Sequence, residues 1–197
     1  MLADAALEAL LAEVRACRIC EGHLVDGVRP VLRVGQGARI AIAGQAPGIR
    51  VHRSGVPWDD PSGDRLRDWL QVDKDTFYDT GRFAIVPMGF CYPGTVKGKG
   101  DLPPRPECRA TWHDRIFAQL PELELILCIG QYAIDHHMAG LRKPTLTETV
   151  ADWRAAGQRY LPLPHPSPRN NIWLKRNPWF DEEVLPELRV RVKHLLE

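Results

Sequence analysis

The chain has 197 residues, 44% of them apolar, with 26 Lys and Arg against 25 Asp and Glu and a formal net charge of +1. That length and apolar content predict one domain over residues 1–197 with a real core. The near-neutral charge neither demands nor excludes a nucleic-acid partner, so any such binding face must be local. No apolar run is long enough to span a membrane, and residues 1–14 form an acidic amphipathic pattern rather than a signal peptide, which predicts a soluble cytoplasmic protein.

In chain order, apolar residues from Leu2 to Val14 recur at helical spacing and predict an opening helix. Arg39 to Gly44 reads as a short apolar strand, followed by a Pro/Gly loop and a helix from Ser62 whose Leu66, Trp69 and Leu70 share one face. Phe83 to Met88 is the next strand, limited by Pro87. Leu123 to Ile129 is the most continuous apolar strand; Gly130 turns it into a helix over Gln131 to Ala139, and a further helical pattern runs from Thr147 to Ala156. Tyr160 to Leu163 is a short fourth strand, and Asp181 to Leu196 a closing helix. This alternation predicts an α/β fold, three-layer α/β/α, with a four-stranded mainly parallel sheet. The loops at 44–61 and 164–178 then converge at the carboxyl ends of the strands, where ligands bind.

The five cysteines divide into four and one. Cys17 and Cys20 form a C-x2-C pair, Cys91 and Cys108 sit in a proline-rich loop, and Cys128 lies alone inside the most apolar strand. Disulfides do not suit a cytosolic chain, so the four read as thiolate metal ligands and Cys128 as a core residue. Four thiolates suit structural zinc and a 4Fe-4S cluster alike.

Two loops carry the chemistry. Pro164-His165-Pro166-Ser167-Pro168-Arg169 sets one imidazole among three prolines. Each proline fixes its own φ and pushes the preceding residue toward extended geometry, so His165 and Ser167 are held in place. In Gly44-Gln45-Ala46-Pro47-Gly48 the glycines permit close backbone approach to a ligand and Pro47 stiffens the turn. Together the two motifs resemble the paired loops of the uracil-DNA glycosylase superfamily. The cysteine pattern is similar to that of its iron-sulfur enzymes, families 4 and 5, which carry an N-terminal C-x2-C, a third cysteine just after the second strand and a fourth farther on.

The resemblance implies a 4Fe-4S cluster on Cys17, Cys20, Cys91 and Cys108, with zinc as the alternative. It also implies monofunctional hydrolysis of the N-glycosidic bond of a flipped deaminated base in DNA by a monomeric enzyme, uracil being the first expectation. Hypoxanthine or xanthine as the lesion, and an iron-sulfur DNA-binding protein with little activity, are the alternatives. His165 takes the role of donor to the departing base oxygen. Gln45 stands where family 4 enzymes carry a glutamate linked to water activation, and it cannot take a proton. The segment Asp60-x-Ser62-Gly63-Asp64 is similar to one in family 5 enzymes that contains a catalytic aspartate, which points to Asp60, and after it Asp59, as the carboxylate that orients water. A helix N-cap is the competing reading of Asp60.

Trp58 stands where resembling enzymes stack the extruded base on an aromatic ring, so His165 and Trp58 are expected to enclose that base. Pro87 replaces an asparagine that reads the uracil edge in family 4, leaving backbone groups of Met88 and Gly89 as substitutes. Substrate binding is thus expected from Gly44, Ala46, Pro47, Gly48, Trp58, Met88 and Gly89. Arg169 takes the position of the side chain that fills the vacated duplex gap, and Ser167, Asn170, Lys175 and Arg176 face the DNA backbone. Lys97, Lys99 and Arg105 form a second basic cluster; Arg50, His52 and Arg53 form a third.

Overall fold

A computed structural model describes residues 2–98 and 100–197, so Lys99 lies outside the described residues. It opens on α1 (Leu2–Ala16), which buries Leu7, Leu10, Leu11 and Val14 along one stripe. β1 (Ile40–Ala43) is followed by three helices, α2 (Ile49–Ser54), α3 (Pro61–Leu70) and α4 (Lys74–Tyr78), before β2 (Phe83–Ile85). A hairpin of β3 (Thr95–Val96) and β4 (Gly100–Asp101) leads to α5 (Pro106–Phe117), then β5 (Leu125–Ile129), α6 (Gln131–His137) and α7 (Leu146–Ala151). β6 (Tyr160–Leu163), α8 (Asn171–Arg176) and α9 (Leu185–Leu196) complete the order.

The main sheet has four strands in the order β2-β1-β5-β6, every pair parallel. Side-chain alternation divides its faces. Ala41, Ala43, Ile126 and Cys128 pack with α1, α5 and α6, whereas Ile40, Ile42, Leu125 and Leu127 pack with α3 and α9. The predicted three-layer arrangement is therefore present. Trp69, Trp112 and Trp153 are all buried, as is Cys128. At the outer strand the carbonyls of Arg159 and Leu163 accept from Ile126 and Gly130 of the β5 side, so alternation turns the nitrogen of Pro162 to the open edge, where a missing N–H leaves the ladder intact. Among the described residues no helix is long and apolar enough to cross a membrane.

Several predicted boundaries move. The first strand is Ile40–Ala43 rather than 39–44. The second stops at Ile85 instead of Met88, although Val86 and Met88 still donate to the carbonyls of Ile42 and Gly44, because alternation turns the nitrogen of Pro87 away from β1. The third starts at Leu125 rather than Leu123, and the following helix ends at His137 rather than Ala139. The predicted 147–156 helix begins at Leu146 behind a Thr145–Glu148 capping box and passes into a 3-10 turn at Trp153–Ala156. The closing helix starts with a wider π turn, Phe180–Val184, ahead of Pro186, which has no N–H to donate.

The start of α3 matters for the site. Asp60 is its N-cap, Pro61 its first residue, and Gly63 donates its N–H to Asp60 Oδ1 at 2.8 Å. A Cβ on Gly63 would lie 1.7 Å from the Trp58 carbonyl oxygen. In an open helix Gly→Ala would stabilise by roughly 1 kcal/mol. Here Gly63→Ala is expected to destabilise by about 1–3 kcal/mol through overpacking and to change the Trp58 environment, measured by urea unfolding followed by tryptophan fluorescence.

Candidate active site

The carboxyl ends of β1 and β6 deliver the two sequence motifs to one rim. β1 runs into Gly44-Gln45-Ala46-Pro47-Gly48, and β6 runs into the proline-held His165 loop. Between them, with the β3–β4 hairpin on the far side, lies a cleft of about 520 Å³. Gln45, Trp58, Asp60, Pro87, Asp101 and His165 are among the residues that line it.

His165 is set by its own loop. The Ser167 N–H donates to His165 Nδ1 at 3.2 Å, and Asn170 Nδ2 donates to the His165 carbonyl at 2.7 Å. With Nδ1 accepting, the neutral ring carries its proton on Nε2 and is a donor there. Burial pushes the imidazole below its ordinary pKa, while the Asp60 and Asp101 carboxylates pull the other way. The neutral tautomer is thus favoured by both contact and burial.

Trp58 is held in a backbone conformation that bulky residues rarely adopt, with φ of 58°. Three contacts keep it there. Buried Arg67 donates Nη1 to the Trp58 carbonyl at 3.3 Å while its Nη2 pairs with Asp64 at 2.7 Å, and the Tyr78 hydroxyl donates to the Pro57 carbonyl at 2.8 Å. Gly44 leaves room for the indole, since a Cβ there would sit 3.0 Å from Trp58 Cζ2. The indole and imidazole centroids are 5.6 Å apart and tilted by 33°. The two rings therefore stand close together on the wall of the same cleft.

Asp60 lines the cleft and is also the N-cap of α3, so both readings of it hold: Oδ1 is engaged by Gly63 and one oxygen remains. Asp59 is exposed and is not among the lining residues. Met88 and Gly89 are not in the cleft either. Their amides donate to the carbonyls of Gly44 (2.8 Å) and Gln45 (2.9 Å), and the Phe90 N–H donates to Cys108 Sγ (3.3 Å), so they hold loops together instead of meeting a substrate. Gln45 Nε2 donates to the Leu102 carbonyl at 3.2 Å, tying the first loop to the hairpin. Ser167, Arg169 and Asn170 line the cleft, while Lys175 and Arg176 lie exposed on α8.

Asp101 was not anticipated. It reaches the cleft because a two-residue antiparallel pairing folds the hairpin back over the first loop, where Asp101 Oδ1 accepts from Thr95 Oγ1 at 2.6 Å. Its only sequence signal is the Gly98–Gly100 turn, both glycines having positive φ.

Cys17, Cys20, Cys91 and Cys108 line one pocket between α1, the loop after β2 and the start of α5, all as free thiols. Burial raises the Cys91 thiol to about 11 and that of Cys108 to about 12, and it raises Cys20 as well. Backbone N–H groups of Arg29 and Phe90 oppose this at Cys91 and Cys108. A metal centre would replace those protons and receive ready-made N–H donors to sulfur, so the donor set fits one.

Residues 33–189 match the family model of the uracil DNA glycosylase superfamily. The fold is similar to the solution structure of a candidate uracil DNA glycosylase from Methanosarcina acetivorans, with 16% identity and a TM-score of 0.51 over 85% of this chain and 99% of that one. The chain belongs to the uracil DNA glycosylase superfamily, and the cleft that holds His165 lies where its two loops meet.

Protonating His165 would place a hydrogen on Nδ1 against the Ser167 N–H. The neutral form is therefore the favoured one, and a donor role for its Nε2 predicts that activity falls as pH drops through the depressed pKa. A pH profile of kcat/KM should show its acid limb below the ordinary imidazole value of about 6.5.

Proposed function

We propose that the protein is a monofunctional glycosylase that flips a deaminated base, uracil first, out of DNA and hydrolyses its N-glycosidic bond. The observation that carries this reading is the neutral His165, fixed as an Nε2–H donor inside a cleft of base-sized dimensions. When the bond between C1′ and the base nitrogen breaks, the electron pair leaves with the base and negative charge grows on its oxygen. A preorganised donor aimed there is worth about 2.7–4 kcal/mol. Water then adds to C1′ and releases a proton. Asp60 is the carboxylate that orients this water, and Asp101, on the opposite wall, stabilises the cationic sugar. Gln45 cannot act as a base and serves to position the first loop.

Base recognition falls to side-chain amides, because Pro87 lacks a donor and the amides of Met88 and Gly89 are engaged. Gln45 and Asn170 donate their Nε2 and Nδ2 to Leu102 and His165, which leaves their oxygens to accept from the imide N–H of uracil or a related edge. Gly44, Ala46, Pro47 and Gly48 form the floor. Trp58 offers the edge of a ring beside His165. Arg169 rests on the hairpin, its Nη1 2.8 Å from where a Gly100 Cβ would stand, and is poised at the cleft mouth to enter the duplex gap.

We assign the four-cysteine pocket to a 4Fe-4S cluster of the family 4 and 5 kind. The four sulfurs line one pocket, and their pattern is similar to that of the family 4 and 5 enzymes, which supports this assignment over zinc. The cluster, when bound, supplies a covalent staple between α1 and the loops that frame the cleft.

Incubation with oligonucleotides containing uracil, hypoxanthine or xanthine, followed by alkali, should yield strand breaks at uracil, and His165→Ala should lower the rate by about 10²–10³. Retained DNA binding with no product on any lesion would favour a binding protein instead. Arg169→Ala is expected to weaken activity on duplex more than on single strands; equal loss would contradict the gap-filling role. Elemental analysis of gently purified protein should find about four iron atoms per chain, and stoichiometric zinc without iron would reject the cluster.

A further inference from the structure

Outside the cleft, three histidines gather where α5 and α6 meet the loop after β2. One ring nitrogen from each of His113, His136 and His137 lies within 4.8 Å of the others, and the His136 and His137 centroids are 4.6 Å apart. His113 is 1% exposed, and its Nε2–H donates to the Pro87 carbonyl at 3.0 Å. A carbonyl can only accept, so this bond fixes the tautomer and leaves His113 Nδ1 as a bare lone pair. That Nδ1 and His137 Nε2 are both sealed from solvent without a hydrogen-bond partner. Buried polar nitrogens are nearly always satisfied, and a shared cation would satisfy these together.

We propose that His113, His136 and His137 hold a divalent transition-metal ion, zinc by the chemistry of their donor set, at a centre distinct from the four cysteines. The surroundings suit it. A ligating histidine commonly gives its second N–H to a carbonyl, as His113 does to Pro87. Burial holds all three imidazoles below their ordinary pKa, which keeps them in the neutral ligand form. Of the charged groups facing the trio, Arg109 is the nearest cation, with Nη1 3.5 Å from His136 Nδ1; it is exposed and free to turn outward. Arg159 and Asp114 act from farther away. Zn–N bonds of about 2.0–2.1 Å require nitrogens roughly 3.4 Å apart, a separation that small ring rotations reach from the present one. His136 also lines a groove with Tyr132 and Asp135, which gives an ion a path in and leaves one coordination position for water.

The ion would clamp α6 to α5, whose first turn carries Cys108, and through His113 to the carbonyl of Pro87 at the cleft wall. The test uses the full-length chain with its cysteine site loaded, titrated with Co²⁺. The expected result is one further equivalent bound, with visible ligand-field bands but no thiolate charge transfer, and a raised Tm. His136→Ala should weaken this binding by about tenfold or more while leaving iron content and far-ultraviolet circular dichroism unchanged. If that variant fails to fold, His136→Gln carries the same expectation. No bound ion, a thiolate charge-transfer spectrum, or equal affinity in wild type and variant would overturn the assignment.

Discussion

Two backbone bonds made after the strands have ended hold the site together. Met88 and Gly89 donate to the carbonyls of Gly44 and Gln45, carrying the β1–β2 pairing past the ends of both strands. A Gly/Pro loop would otherwise spend conformational freedom at the very place where a substrate must meet fixed partners. With those carbonyls engaged, the first loop becomes an outgrowth of a fully buried central strand. The loop after β2, which carries Cys91, belongs to the same rigid unit. The same chain segment thus serves the cleft on one side and the cysteine pocket on the other.

The His165 loop reaches comparable rigidity by another route. Its prolines restrict φ, and the Ser167 amide captures Nδ1, so orientation and tautomer are set by neighbours within two residues. Trp58 shows a third solution, a strained backbone held by Arg67 and Tyr78 from adjacent helices. Local covalent restriction, ladder extension and side-chain bracing meet at one rim. Each costs conformational freedom that the buried sheet and its two helical layers must offset.

What could be read from the chain follows the range of the forces involved. The strands are visible as apolar runs because both faces of the sheet are buried, the long helices because one-sided burial imposes period, and the His165 loop because prolines act on their immediate neighbours. The cysteines could be grouped by type and spacing, but that they line one pocket is a fact of packing. The amides of Met88 and Gly89 point to the first loop, a direction that depends on ladder register, which composition does not encode. Asp101 stayed hidden because two-residue strands in a glycine-rich hairpin carry almost no periodic signal. The trio of His113, His136 and His137 is equally hidden, since His113 of α5 meets the adjacent pair on α6 only through packing.

Pro162 has a bearing beyond its own strand. β6 closes the sheet at one end, and its outward row of donors is broken in the middle by an imide nitrogen. An extended segment from another polypeptide that approached this border would find no hydrogen there to bond, so the row cannot act as a template for growth. A residue that leaves the inner ladder of the strand ahead of the His165 loop untouched thereby also guards its outer border against edge-to-edge aggregation.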